Sequence, residues 1–268
     1  MFRDLIQTTP ADRLALLFAV ASVGAVVLGI LILKPILRLA IGRGDPTIND
    51  SIGYGTASFS LFYALLLGLL TVAAYQNKDR VEQSVLTEAG AVGGLYASMN
   101  SYPEPTRSDV KALLRDYVLF TIHRDWPAHR QGTYLDGGTN RMDAIRQRLT
   151  RFTPSNPGQE ILHAETVSAF SHFAEARQQR LNGLITRIPD VLWYAVLVGA
   201  ALNILILILL RMRLLAHLIL GAISAFFLGV VLYVIAVLDD PLRSSLGVQP
   251  TAFQLLWDRQ MVWDESIG

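Results

Sequence analysis

Between Ser51 and Asn77 the chain carries no Lys, Arg, Asp or Glu, and the centre of this stretch, Leu61 to Leu70, reads LFYALLLGLL. A helix rising about 1.5 Å per residue crosses a hydrocarbon core of roughly 30 Å within such a stretch. Three more charge-free runs recur, Leu14 to Leu33, Val191 to Leu210 and Leu214 to Leu238. Lengths of about 20 to 25 residues favour membrane spans over buried helices of a soluble core. Composition agrees, with 17% charged and 52% apolar residues and a mean hydropathy of +0.38. The expected spans are roughly 14–33, 55–76, 191–210 and 214–238. The first is expected as a retained helix rather than a signal peptide, because it runs into Lys34, Pro35 and Arg38 without a small-residue cleavage site.

Past Lys78, Asp79 and Arg80 the apolar residues continue at Val81, Val85, Ala89, Val92, Leu95 and Met99, steps of three and four that share one helical face. No proline intervenes, so one helix is predicted to leave the bilayer and run on into the aqueous phase. Gly90, Gly93 and Gly94 each weaken it by about 1 kcal/mol, and with Ala89 and Ala91 they permit close approach of another helix. Pro103 and Pro105 end it. Thr106 is the expected N-cap of a helix whose apolar face is Val110, Leu113, Leu114, Tyr117, Val118 and Phe120 or Thr121. Trp126-Pro127 is expected to end that helix, since a residue before proline is driven out of the α region. Gly132, Gly137 and Gly138 read as a loop, Met142, Ile145 and Leu149 as a short amphipathic helix, and Pro154 to Gly158 as a second loop. A last helix, from about Gln159 to Ile188, is expected to bury Ile161, Leu162, Val167, Phe170, Phe173, Leu181, Leu184, Ile185 and Ile188 and to kink at Pro189.

The fold class expected is an all-α integral membrane protein, four transmembrane helices with a helical extramembrane domain inserted between the second and third. Residues 1–77 hold the N-terminal tail and two spans, 78–189 the helical domain, 190–238 a transmembrane hairpin and 239–268 a C-terminal tail. The hairpin is joined by Arg211, Met212 and Arg213. Phe253, Trp257 and Trp263 in the tail suit the membrane interface.

Function is narrowed mostly by exclusion. Without cysteine there is no disulfide, thiolate metal site or cysteine nucleophile. A net charge of +1 offers no footprint for nucleic acid. Zinc-protease, P-loop, dinucleotide and nucleophile-elbow motifs are missing. His123, Asp125 and His129 cluster near Trp126, and of the pairs His163/Glu165 and His172/Glu175 the second has the spacing for a helical metal site, one that arises easily by chance. Neither a metal nor another cofactor is expected. Two classes stay open. In an ion channel, Ser58, Phe59, Phe62, Tyr63 and Leu66 share one broad face of the second span, and copies around an axis form a hydrophobic constriction; equally, these aromatics serve packing within the bundle. In an interaction, assembly or sensing protein, the helical domain binds a partner and nothing is transported. Asn203, the strongly polar residue deep in the third span, reads as an interhelical hydrogen-bond partner rather than a pore ligand. His217 lies too near the basic linker to count as buried. Asp239, just past the fourth span, is expected to pair with Arg177 or Arg180.

Lys34, Arg38, Arg43, Arg211 and Arg213 stand against Asp45 and Asp50 in the two short linkers, whereas 78–189 is nearly balanced. The positive-inside rule therefore places the linkers in the cytoplasm, and the helical domain and both termini outside.

A further set of residues carries a resemblance: Tyr63, Glu88-Ala89, Leu95-Tyr96, Pro103, Arg107, Tyr117, Asp125-Trp126-Pro127, Arg177, Arg180-Leu181, Pro189, Trp193, Gly199, Leu238-Asp239, Pro241, and Pro250 to Phe253. In this order, over nearly the whole chain, the sequence resembles the bacterial bestrophin-like membrane proteins, a group otherwise labelled only as a domain of unknown function. Asp125 departs from the glutamate usual there, and Asp240 from a common histidine. The resemblance implies a multi-pass protein of the bacterial inner membrane and a homo-oligomer in the lipid bilayer. More remotely it implies bestrophins, pentameric anion channels with a hydrophobic neck, and hence a small ion as partner. It also implies cytosolic termini, opposite to the charge reading. Structural or gating candidates from the matched positions are Glu88, Arg107, Tyr117, Asp125, Trp126, Arg177, Arg180, Asp239 and Pro241, with Asn203 added from the third span.

Overall fold

The computed structural model describes residues 11–41, 47–210, 212–243 and 247–263. Arg3, Asp4, Arg43, Asp45 and Arg211, and the side chain of Arg38, lie outside the described residues. Among those described there are helices and turns and no strand. Four helices are long and apolar enough to cross a membrane: α1 (Ala11–Ile41), the first part of α2 (Thr47–Ser98), α7 (Asp190–Leu209) and α8 (Leu214–Asp239). Between α2 and α7 lie α3 (Thr106–Phe120), a π-helical turn (Thr121–Asp125), α4 (Trp126–Arg130), α5 (Gly137–Arg151) and α6 (Pro157–Asn182); α9 (Thr251–Leu256) and a second π turn (Trp257–Met261) follow α8. The protein is thus four membrane-length helices with a helical, non-membrane segment inserted between the second and third.

The chain divides into two compact units. The apolar unit holds the described residues up to Gln76 together with Ile188–Asp239. Its interior is packed from Leu14, Phe18, Tyr63, Leu67, Leu70, Ala74, Trp193, Val196, Leu228, Leu232 and Ile235, while large residues such as Leu61, Phe62, Leu69, Ile219 and Phe227 face outward. That inversion of the soluble pattern is what a lipid surround permits. Small residues set the close approaches. A Cβ at Gly229 would come within 2.8 Å of the Phe18 carbonyl oxygen, and one at Gly199 within 2.5 Å of the Tyr63 ring. Tyr63 fills that notch, and its hydroxyl donates to the Val196 carbonyl at 3.1 Å.

Three expectations for this unit are corrected. Lys34 and Pro35 are not linker, because α1 stays helical to Ile41. His217 is fully buried, bridged to Lys34 at 2.6 Å and to the Leu207 carbonyl at 3.0 Å. Among the described residues, Asp239 has partners other than the expected arginines: its Oδ1 accepts from the Ile188 amide at 2.6 Å and its Oδ2 from the Trp193 indole at 2.9 Å. Backbone and ring donors from the start of α7 satisfy this carboxylate without the desolvation of a guanidinium.

The polar unit comprises Asn77–Arg187 and the residues from Asp240 on. Its core runs along the second part of α2, whose stripe Val81, Val85, Ala89, Val92, Leu95 and Met99 is buried as expected and meets Leu114, Tyr117, Ile145, Leu149, Phe173 and Phe253. Phe253 is fully buried here rather than at a membrane interface, and Trp263 remains exposed. The break at Trp126-Pro127 does not occur. The π turn carries the helical path through Asp125 and Trp126, both in the α region, and Pro127 falls in the first turn of α4, where no amide hydrogen is required. Gly137 and Gly138 begin α5 instead of a loop, and Pro105, not Thr106, precedes α3 without a side-chain cap. Nor does Pro189 kink a helix: α6 ends at Asn182 and Pro189 caps the start of α7. On α6 the expected face is partly wrong. Ile161 and Val167 are exposed, as is Ile185 beyond the end of the helix, and the buried stripe includes Thr166, Phe170, Phe173, Arg177 and Arg180.

Candidate functional site

That stripe leads from the apolar core into charge. Arg177 and Arg180 stand three residues apart on α6, so both point the same way. Facing them are Glu88 on α2, Tyr117 on α3, Asp125 at the end of the π turn and His129 on α4. All six are buried, none more than 3% exposed.

Arg180 is the hub. Its Nε donates to Glu88 Oε2 at 2.6 Å and its Nη2 to Glu88 Oε1 at 3.3 Å, a two-pronged grip of guanidinium on carboxylate. Nη2 also reaches Asp125 Oδ2 at 3.3 Å, and Nη1 donates to His129 Nε2. Arg177 Nη1 joins Asp125 Oδ2 at 3.3 Å and the Tyr117 oxygen at 3.0 Å. The Tyr117 hydroxyl in turn donates to Glu88 Oε1. The Leu135 amide donates to Asp125 Oδ1 at 3.3 Å. The Arg180 guanidinium lies 5.5 Å from the Trp126 ring centre, which takes up its apolar face.

The hydrogen bonds fix the protonation states. An arginine N–H only donates, so His129 Nε2 accepts, and the ring proton sits on Nδ1, which donates to the Thr133 carbonyl at 3.0 Å. His129 is therefore neutral. Burial, and after it the Arg180 charge, hold its pKa down to about 4. Burial alone would raise Asp125, but the charges of Arg180 and Arg177 and the Leu135 amide outweigh it and keep the carboxyl below its ordinary range. Burial first, and then the Glu88 charge, push the Tyr117 phenol up, so it stays protonated. Two arginines balance two carboxylates, and the cluster is electrically neutral while closed to solvent. Its chemistry is that of a clamp joining four helices and the π turn, since uncompensated removal of one partner leaves a buried charge.

The other sequence candidates lie apart from this network. Ser58 and Phe62 face outward from α2, Phe59 and Leu66 are half-buried, and Tyr63 is inward, with Phe59 stacked on it at 6.1 Å. Arg107 pairs with Glu104 at 2.7 Å at the exposed start of α3. Asn203 is half-buried and makes no side-chain hydrogen bond among the described residues. Pro241 is buried, and its carbonyl accepts from the Val248 amide at 2.7 Å. The exposed pair His172/Glu175 is 3.9 Å apart, and no metal-binding group is found among the described residues. Sequence reasoning had not joined Glu88 to Arg180. The available signal was position: Glu88 falls on the same face as Val81, Val85 and Val92, where a carboxylate needs a buried partner.

Residues 20–253 match the family model of the bestrophin-like domain. The chain therefore belongs to the bestrophin-like family, as a multi-span membrane protein. No curated protein and no solved structure shows significant similarity to it.

Proposed function

We propose that the protein is a homo-oligomeric ion channel in which the membrane part of α2, from one copy after another, lines a path with a hydrophobic constriction. The observation that carries this reading is the uncovered face of α2: Ser58, Leu61, Phe62, Leu65 and Leu69 are exposed in the single chain. A path through one chain is disfavoured, because the interior of its apolar unit is filled by aliphatic and aromatic side chains. Copies around an axis would each contribute one stripe, and ions would cross when the constriction wets. Ser58, Phe62, Phe59 and Leu66 are the lining candidates, with Tyr63 behind them holding α2 to α7. The likeness to bestrophins supports the same class.

Protein reconstituted in liposomes is expected to carry ion flux under voltage or a gradient. Phe62→Ala should raise that flux without loss of stability, since the ring is 71% exposed in the single chain. No flux above empty liposomes with either sign of voltage, from a folded oligomeric sample, would remove the channel reading. A membrane-anchored interaction protein would then lead, favoured by an apolar groove on the polar unit between Leu86, Gly90 and Gly94 of α2 and Leu255 and Leu256 of α9.

For orientation, the basic linkers support a cytoplasmic placement, with the polar unit outside. In intact cells, a membrane-impermeant thiol reagent should label Ser155→Cys and spare Arg213→Cys. The opposite pattern would reverse the orientation.

A further inference from the structure

At the end of α1 two titratable groups are buried against each other. Lys34 Nζ donates to the Met212 carbonyl at 3.1 Å and contacts His217 Nδ1 at 2.6 Å, while His217 Nε2 is 3.0 Å from the Leu207 carbonyl. Lys34 is 7% exposed and His217 fully buried. Three segments meet at this point: the C-terminal part of α1 at Lys34, the last turn of α7 with Met212 beyond it, and the first turn of α8. Beside it the packing is close, since a Cβ at Gly221 would come within 2.9 Å of Val26 and 3.1 Å of Ile30.

The carbonyl of Leu207 only accepts, so Nε2 carries the ring proton. A neutral imidazole has one such proton, and Nδ1 must accept from the Lys34 ammonium. A second proton could bind His217 only at Nδ1. It would then set two donors and two positive charges face to face at hydrogen-bond distance, with no low-energy arrangement in a buried site. Among the described residues, the charged group interacting with His217 is Lys34 on α1. The last turn of α7 presents Leu207 and Ile208, and on α8 Arg213, one turn earlier, is exposed. The Lys34 contact and a protonated His217 therefore exclude one another.

We propose that Lys34 and His217 form a proton-operated latch, in which protonation of His217 Nδ1 expels the Lys34 ammonium from Met212 and frees the α7–α8 link. The latch does not depend on whether the chain conducts ions. It adds a proton-binding site to the membrane unit, in a residue class whose ordinary titration lies near neutral pH.

The chain has no cysteine, so single thiols report cleanly. Met212→Cys would sit at the latch and Arg213→Cys beside it at an exposed position; in detergent or nanodiscs, the ratio of their labelling rates cancels the pH dependence of the thiol reaction. This ratio is expected to rise severalfold from pH 7.5 to pH 5.5. Adding His217→Asn, whose Oδ1 accepts from Lys34 in the place of Nδ1 and whose amide does not titrate, should hold it low at both pH values. Adding Lys34→Met should make it high at both. A ratio unchanged by pH with His217 present, or the same pH response with His217→Asn, would overturn the latch. If Met212→Cys does not fold, amide hydrogen exchange of residues 212–217 in the unsubstituted protein, corrected for intrinsic pH dependence, decides the matter: faster exchange at low pH supports the latch and unchanged protection overturns it.

Discussion

Arg180→Met is expected to destabilise the polar unit by about 3 to 5 kcal/mol, enough to unfold it or to abolish recovery of folded protein. The substitution keeps an unbranched, though shorter, side chain and removes its charge. Glu88 loses two hydrogen bonds, at 2.6 and 3.3 Å, and Asp125 loses one at 3.3 Å. Arg177 remains for Asp125, but Glu88 keeps only the Tyr117 hydroxyl and stays a buried, uncompensated carboxylate. The double substitution Glu88→Met with Arg180→Met removes one charge of each sign and should recover much of the loss, because two apolar groups need no mutual neutralisation. Thermal unfolding followed by tryptophan fluorescence reads both, with Trp126 lying against the Arg180 guanidinium. Equal losses in the single and double variants would show that the arginine matters for its packing and not for its charge.

Acid should weaken the same unit in a definite window. His129 is neutral in the fold with a pKa of about 4, against 6.5 for an ordinary histidine. Between these values the unfolded chain binds a proton that the folded chain does not, so stability rises with pH there and falls as pH drops. The folded protein is unaffected by this group above pH 6.5, and about 3 kcal/mol has been lost by pH 4. Asp125, with its pKa depressed, adds a further loss only as pH falls below the ordinary carboxylate range. His129→Gln, which keeps an acceptor for Arg180, should flatten the slope between pH 6.5 and 4. A slope unchanged by that substitution would place the acid sensitivity in other groups.

Both effects depend on residues that the sequence marks unevenly. Glu88 stands on an apolar stripe that is plain in the sequence, and Arg177 and Arg180 are three apart, yet nothing local ties residue 88 to residue 180. His129 is four residues from Asp125, a spacing that equally suits a metal ligand pair, and only the Arg180 N–H pointing at its Nε2 fixes it as a neutral acceptor. The face of α6 was harder still to read. Apolar residues ring that helix, and with two arginines on its buried side a rule that seeks hydrophobic positions turns towards Ile161 and Val167.

The sequence by itself determined the features that local physics dictates. Charge-free runs of membrane length have no other stable home, so four spans and the helical insertion between the second and third were legible from it. The unbroken stripe from Val81 to Met99 likewise required one long helix through Ser98. Only the tertiary structure decided where the polar groups go. Asp239 takes the Ile188 amide and the Trp193 indole instead of an arginine, and Lys34 turns inward to His217 instead of lying in a solvated linker. A hydrophobic run signals its burial from its own composition, whereas a buried charge is stable only through a partner that is distant in sequence and brought into reach by folding.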